Sequence, residues 1–409
     1  MNGLFEFLET SYTPYHTVKN ARTLLDARGF LPLREEESWK IAEGGKYYVE
    51  RSGSLIAFTV NGKGGFKIVA SHTDSPCFKL KENPAIAGDF TRLNSEPYGG
   101  GLWYTFFDRP LKIAGRAIVE EDGALCSRLY ESEETFVIPS LAIHQNRDAN
   151  EKFSPDLQTD TLPLYALGKA EFPARGVAED RFVVCAEKPF SCGKDGEFFS
   201  SPRIDNLTSV YSSLCALESA DHGICVAACL ESEEIGSRTR AGAGSDFLKN
   251  TLWRISASLG RTEEERLRAF SSSFLVSLDN AHSLHPNRPE KCDPTNRAVM
   301  GGGVVIKSHA GGAYTTDALS CAVIKTIFTR AGVKFQSFYN RSDLRSGSTL
   351  GAISLGQVSV PSVDLGIAQL AMHSAVETAC KKDYEELEKG LKAFYASEIS
   401  LHGESATVD

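Results

Sequence analysis

Short apolar runs that stop abruptly at polar residues, separated by helical stretches, constrain this chain more than any other feature. Phe66 to Ala70 is bounded by glycines and runs into Ser71-His72-Thr73-Asp74-Ser75-Pro76. Ile224 to Leu230 runs into Glu231-Ser232-Glu233-Glu234, and Phe274 to Leu278 into Asp279. Helical spacing marks Tyr15 to Arg28 (closed by Gly29), Leu207 to Leu217, Thr316 to Arg330 and Tyr384 to Leu401, with further strands at Phe335 to Tyr339 and Ser362 to Leu365. Strands alternating with helices predict an α/β fold: a mainly parallel sheet flanked by helices.

From about Asn83 to Lys194 the texture changes. Pieces such as Leu111 to Glu120 and Phe182 to Ala186 are separated by turns at Gly99-Gly100-Gly101 and Asp122-Gly123, without a long amphipathic helix. This reads as an inserted β-rich unit, giving a catalytic domain in two parts, 1–82 and 195–409, around an insertion at 83–194. A chain of 409 residues has room for two such units.

Lys and Arg total 44 against 53 Asp and Glu, a net charge of -9, which disfavours a phosphate-binding surface and hence nucleic acid. The first ten residues lack the pattern of a secretion signal, and no apolar run is long enough for a membrane span, so a cytoplasmic protein is expected. Ten cysteines without a Cys-x-x-Cys pair, several in apolar runs, read as reduced and buried.

In open α/β sheets ligands collect where loops leave the carboxyl ends of strands. Five places there carry polar side chains: His72 with Asp74, Asp205 before a helical run, Glu233 with Glu234, Asp279, and His373 in Ala371-Met372-His373-Ser374. Each has an ordinary reading alone: Asp205 as a helix N-cap, the Glu pair as a solvated loop, Asp279 as a turn residue, His373 as a buried histidine. Together they supply two imidazoles and several carboxylates, which suit zinc, manganese or cobalt, and one carboxylate is needed to bridge a pair of ions. In His-x-Asp the carboxylate can accept the far imidazole proton and fix the ring. Of two adjacent glutamates, one can ligate while the other takes a proton from water.

Ser71-His72-Thr73-Asp74-Ser75-Pro76, Gly100-Gly101-Leu102-Trp103, Phe107-Asp108-Arg109, Leu141-Ala142-Ile143-His144, Glu233-Glu234-Ile235-Gly236, Ser348-Thr349-Leu350-Gly351 and Gln369-Leu370-Ala371-Met372-His373-Ser374 resemble the M18 family of zinc aminopeptidases over nearly the whole chain. The resemblance implies a zinc exopeptidase-like catalytic domain with two zinc ions per subunit, manganese or cobalt being alternatives. Asp205 would bridge them, with His72 and Asp279 on one ion and Glu234 and His373 on the other. Glu233 would be the base, Asp74 would orient His72, and His144, His282 and Gly351 would contact substrate. It also implies that the insertion is a dimerisation domain whose His144 reaches the partner's site, and that dimers build dodecamers. Peptides would lose single residues from their amino ends.

The family's aspartyl members carry a lysine just upstream of a Val-Ile-Lys run, implied to pair with an acidic substrate side chain. Here that stretch is Met300-Gly301-Gly302-Gly303-Val304-Val305-Ile306-Lys307, with glycine in its place. A buried carboxylate without a cation is disfavoured, so neutral, apolar residues are expected, unless Arg297, Lys307 or Arg345 supplies the charge. An acidic-residue aminopeptidase is therefore the alternative. A carboxypeptidase or deacylase on the same scaffold is another, separable by terminus preference. A non-catalytic protein that kept the fold is disfavoured by the complete ligand set. No Gly-x-Ser-x-Gly elbow or phosphate loop is present.

Overall fold

The structure is a computed structural model and describes residues 1–344 and 346–409. Helices α1 (Asn2–Thr10) and α2 (Pro14–Asp26) precede strands β1 (Leu31–Leu33), β2 (Lys46–Arg51), β3 (Ser54–Asn61) and β4 (Phe66–His72). Strands β5 (Cys77–Ile86), β6 (Phe90–Tyr98), β7 (Leu111–Glu121), β8 (Ala124–Glu131), β9 (Leu164–Leu167) and β10 (Ala178–Cys185) follow, then β11 (Phe190–Cys192), β12 (Phe198–Ser201) and α3 (Ile204–Glu218). The chain continues through β13 (Gly223–Leu230), α4 (Phe247–Ser258), α5 (Glu263–Ser271), β14 (Phe274–Leu278), β15 (Ala281–His282), β16 (Val304–Lys307), α6 (Ala318–Ala331) and β17 (Phe335–Phe338). It closes with α7 (Leu350–Ser354), β18 (Ser362–Gly366), β19 (Ala368–Leu370), β20 (Glu377–Cys380), α8 (Lys381–Ala396), β21 (Ile399–His402) and β22 (Ser405–Val408).

Among the described residues the main sheet runs β1-β2-β3-β13-β4-β14-β18-β16-β17. Its centre, β13-β4-β14-β18, is parallel throughout. Both faces are covered, which is why these strands read as continuous apolar runs. In β13, Cys225, Ala227 and Cys229 face a core shared with α2, α3, α6 and α8, while Ile224, Val226, Ala228 and Leu230 face α4 and α7. No helix is long and apolar enough to cross a membrane among the described residues, and all ten cysteines are free.

The second sheet, β8-β7-β10-β5-β6-β9, is antiparallel. It takes in Cys77 and ends at Cys185, so it begins and finishes earlier than the expected limits of 83 and 194. The alternation of Phe78 and Leu80 with Lys79 and Lys81 is that of a half-buried strand. A third sheet, β11-β12-β20-β19-β15, lies beyond it in sequence.

The expected helix from Tyr384 to Leu401 is a correction: α8 stops at Ala396, and 399–408 form a hairpin turning at Gly403, φ +59. The buried ammonium of Lys67 donates to the carbonyls of Tyr395 and Ser397, satisfying the helix end.

Candidate metal centre

Three neighbouring parallel strands deliver ligands at their carboxyl ends: His72 closes β4, Glu233 and Glu234 follow β13, and Asp279 follows β14. Asp205 comes from the start of α3, where its backbone is not helical and its side chain caps nothing. His373 comes from the loop joining β19 to β20, at φ +65. Ser232, before the glutamate pair, and Arg203, before α3, also adopt left-handed conformations, at φ +69 and +61. Such strain persists where the surroundings hold it, and here it clusters around one site.

The ligand atoms fall into overlapping groups within 4.8 Å: His72, Asp205 and Asp279; Asp205, Glu234 and His373; and His72, Glu233 and Glu234. His72 Nε2 lies 3.2 Å from Asp205 Oδ1 and 3.6 Å from Asp279 Oδ1. His373 Nε2 lies 3.5 Å from Asp205 Oδ2 and 3.3 Å from Glu234 Oε1. Atoms sharing a tetrahedral zinc at about 2.0–2.2 Å stand roughly 3.3–3.5 Å apart, so these spacings fit. Asp205 Oδ1 and Glu234 Oε1 are buried without a hydrogen-bond partner among the described residues, as oxygens aimed at a cation would be.

Both imidazoles are set for ligation from behind. His72 Nδ1 donates to the Asp74 carbonyl at 3.0 Å and His373 Nδ1 to the Gly100 carbonyl at 2.8 Å, leaving each Nε2 facing the carboxylates. The Asp74 carboxylate has partners besides His72. Its nearer oxygen is 3.5 Å from His72 Nδ1, while it accepts from the Glu233 and Glu234 backbone N–H groups at 3.0 and 3.2 Å and from the Tyr98 hydroxyl at 2.9 Å. Asp74 therefore anchors the glutamate pair through its carboxylate, and its carbonyl and carboxylate both face His72 Nδ1.

The centre draws positive charge. Burial alone would lower His72, but hydrogen bonds to Asp205, Asp279 and Asp74 hold it well above the ordinary imidazole value. His373 is likewise held at about 10 by Asp205 and Glu234 against its burial. Burial would raise Asp205, but His373 and His72 pull it below the carboxylate range. Burial, reinforced by Asp279, Asp74 and Asp205, pushes Glu233 up to about 8 despite His72.

The remaining expected residues lie outside the candidate metal-binding groups among the described residues. His282 lies on β15 with an edge in solvent, its pKa lowered by the surrounding protein and by Lys307. Gly351 opens the first turn of α7 against β14, where an added Cβ would meet Ser277 at 2.6 Å. His144 is exposed on a turn of the second sheet's long connection. No hydrogen bond or ion pair joins it to the cluster among the described residues. Lys307 is fully buried, its ammonium 3.5 Å from Asp279 Oδ2 and donating to the Asn280 carbonyl. Arg297 is exposed, and Arg345 lies outside the described residues. Sequence reasoning did not single out Glu377, a buried carboxylate at the start of β20 with burial and Asp205 raising it to about 8. A glutamate four residues after His373 gives no signal where the intervening chain is a loop.

Residues 7–183 and 177–395 match the family described as aminopeptidase I zinc metalloprotease (M18). A Clostridium acetobutylicum protein, probable M18 family aminopeptidase 2, is 40% identical over 421 residues, covering 96% of this chain and 97% of its own. The Ape4 chain of a complex with Nbr1 superposes with a TM-score of 0.91 at 32% identity, over 96% of this chain and 84% of that one. A yeast mApe1 dodecamer gives 0.82 at 25% identity, over 96% and 95%.

Proposed function

The chain belongs to the M18 family of zinc metallo-aminopeptidases, and from that premise we propose that it holds two zinc ions and releases single neutral residues from unblocked amino ends of peptides. Asp205 would serve both ions, with His72 and Asp279 as the further ligands of one and Glu234 and His373 of the other. The observation that carries it is the division of one carboxylate, Asp205 Oδ1 toward His72 and Oδ2 toward His373. Manganese and cobalt suit the same ligands.

When bound, such cations supply Lewis acidity, polarising the scissile carbonyl and acidifying the attacking water. Glu233 takes the proton from that water and passes it to the departing amine. Asp74 holds Glu233 in place through its backbone N–H. His144 donates to the developing oxyanion from a second copy of the chain, a role supported by its exposure on the insertion. The insertion is then the dimerisation unit, and the likeness to the yeast mApe1 dodecamer supports further assembly.

The preference for neutral residues is supported at Gly302. A side chain there would bring its Cβ within 2.6 Å of the Gln336 amide, which is held by Val299 and Gly303. Lys307 is already engaged by Asp279.

The test measures zinc content together with turnover of aminoacyl anilides and their N-acetylated forms. Two equivalents of zinc and activity confined to free amino ends are expected. Comparable turnover of acetylated substrates would overturn the aminopeptidase reading in favour of a hydrolase that needs no free amino end.

A further inference from the structure

Asp205 and His373 reach the cluster from different segments of the chain and share one support. Glu377, the first residue of β20, pairs with Ser201 at the end of β12, and so stands beside the connection that leads into Asp205. It also closes the β19–β20 loop that carries His373. Its Oε2 accepts from the Asp205 backbone N–H at 2.8 Å. Its Oε1 accepts from the His373 backbone N–H at 2.7 Å and from Gln369 Nε2 at 3.2 Å. The residue is 2% exposed and belongs to none of the candidate metal-binding groups among the described residues.

We propose that Glu377 is a positioning residue that locks Asp205 and His373 together and thereby sets the affinity of the cation they share with Glu234. The inference rests on the two-cation reading and extends it to a residue outside the ligand set. Three N–H donors converge on two oxygens, an arrangement only an acceptor at both oxygens can satisfy. His373 sits at φ +65, a strained conformation for a residue with a side chain, and its N–H bond to Glu377 is part of what holds it there. The other cation shares Asp205 but keeps His72 and Asp279, neither of which Glu377 touches, whereas the first loses support at both Asp205 and His373, so the two sites respond unequally to its loss. Gln369 extends the support: its Oε1 accepts from Asn280 Nδ2 at 2.9 Å, and Asn280 Nδ2 also donates to the Ile204 carbonyl beside Asp205.

Glu377→Gln is the informative change, because an amide sets its own N–H donors against one of the inward-pointing backbone N–H groups. The experiment titrates zinc alone into full-length wild type and variant against a competing chelator and counts equivalents and affinities. Wild type should show two sites. Glu377→Gln should weaken one of them roughly 10–100-fold, the usual scale for lost outer support of a ligand, and leave the other within about threefold. Activity lost at limiting zinc should return at saturating zinc. If circular dichroism shows Glu377→Gln unfolded, Glu377→Asp decides by the same criterion, since it keeps the charge but draws the oxygens back. Two unaltered sites, or equal weakening of both, overturns the proposal alone. A wild type holding one equivalent overturns the two-cation reading and this proposal with it.

Discussion

The ligand cluster and the connection from Ser140 to Thr159 invert each other's relation to water. In the cluster, carboxylates and imidazoles are drawn in from water toward one another, Asp205 at 3% exposure and His72 at 1%. In the connection, apolar side chains are left in solvent, Leu141 at 61% and Ile143 at 47% around His144. Polar groups inside and apolar groups outside are both informative exceptions to ordinary burial. The first gathers the donor types that a divalent cation takes. The second leaves apolar side chains in water, which the proposed docking of a second copy would cover.

The largest effect expected is inside the cluster. Glu233→Gln should lower turnover roughly 10²–10⁴-fold with both zinc ions retained. Loss of zinc, with near-normal turnover in metal-saturated buffer, would make Glu233 a ligand and erase its distinction from Glu234. Wild-type kcat/KM should have an acid limb set by Glu233, whose ionisation burial opposes and bound cations favour. The base must be deprotonated, so activity is present above that limb and is lost as pH falls through it. Glu233→Gln should abolish the limb, and a limb that persists assigns it to another group.

The connection should show the next largest effect. His144→Ala should cost roughly 10²–10³ in kcat, the scale of one oxyanion donor, without loss of zinc. Mixing it with Glu233→Gln under subunit exchange should restore activity, since some sites then combine an intact base with an intact histidine. Verified mixed dimers without activity would return the connection to a purely structural role.

Specificity joins the two regions at a smaller scale. Leu and Met anilides should exceed Asp and Glu anilides by about tenfold or more in kcat/KM, because an apolar side chain gains about 1.5–3 kcal/mol on burial and a carboxylate loses its hydration. An acidic substrate ahead of Leu by tenfold would show that a cation other than a residue at 302 serves the pocket. The smallest effect distinguishes packing from waiting surface. Leu230→Ala, at 1% exposure, should cost about 2–5 kcal/mol in chemical denaturation, whereas Leu141→Ala should change unfolding of the dissociated chain by no more than about 0.5 kcal/mol. A larger loss at Leu141 would mean that its own chain already packs it.

Much of this site is legible in the amino-acid sequence because the ligands hang on strand ends. An apolar run in a doubly covered sheet must stop where water or a ligand begins, so His72, Glu233, Glu234 and Asp279 stand out as polar residues at those stops. Residue type alone also puts a glycine at 302 and a histidine at 144. The adjacency of β13, β4 and β14 is not legible, since strand order depends on how helices pack over the sheet and not on order in the chain. The division of the Asp205 oxygens, the turning of Asp74 toward the Glu233 and Glu234 backbone, and the meeting of Asp205 and His373 on Glu377 all arise from contacts between segments up to 172 residues apart. The physical reason is that a sequence states which donors and acceptors exist, whereas burial decides which of them must find one another, because only away from water does an unmet partner carry its full cost.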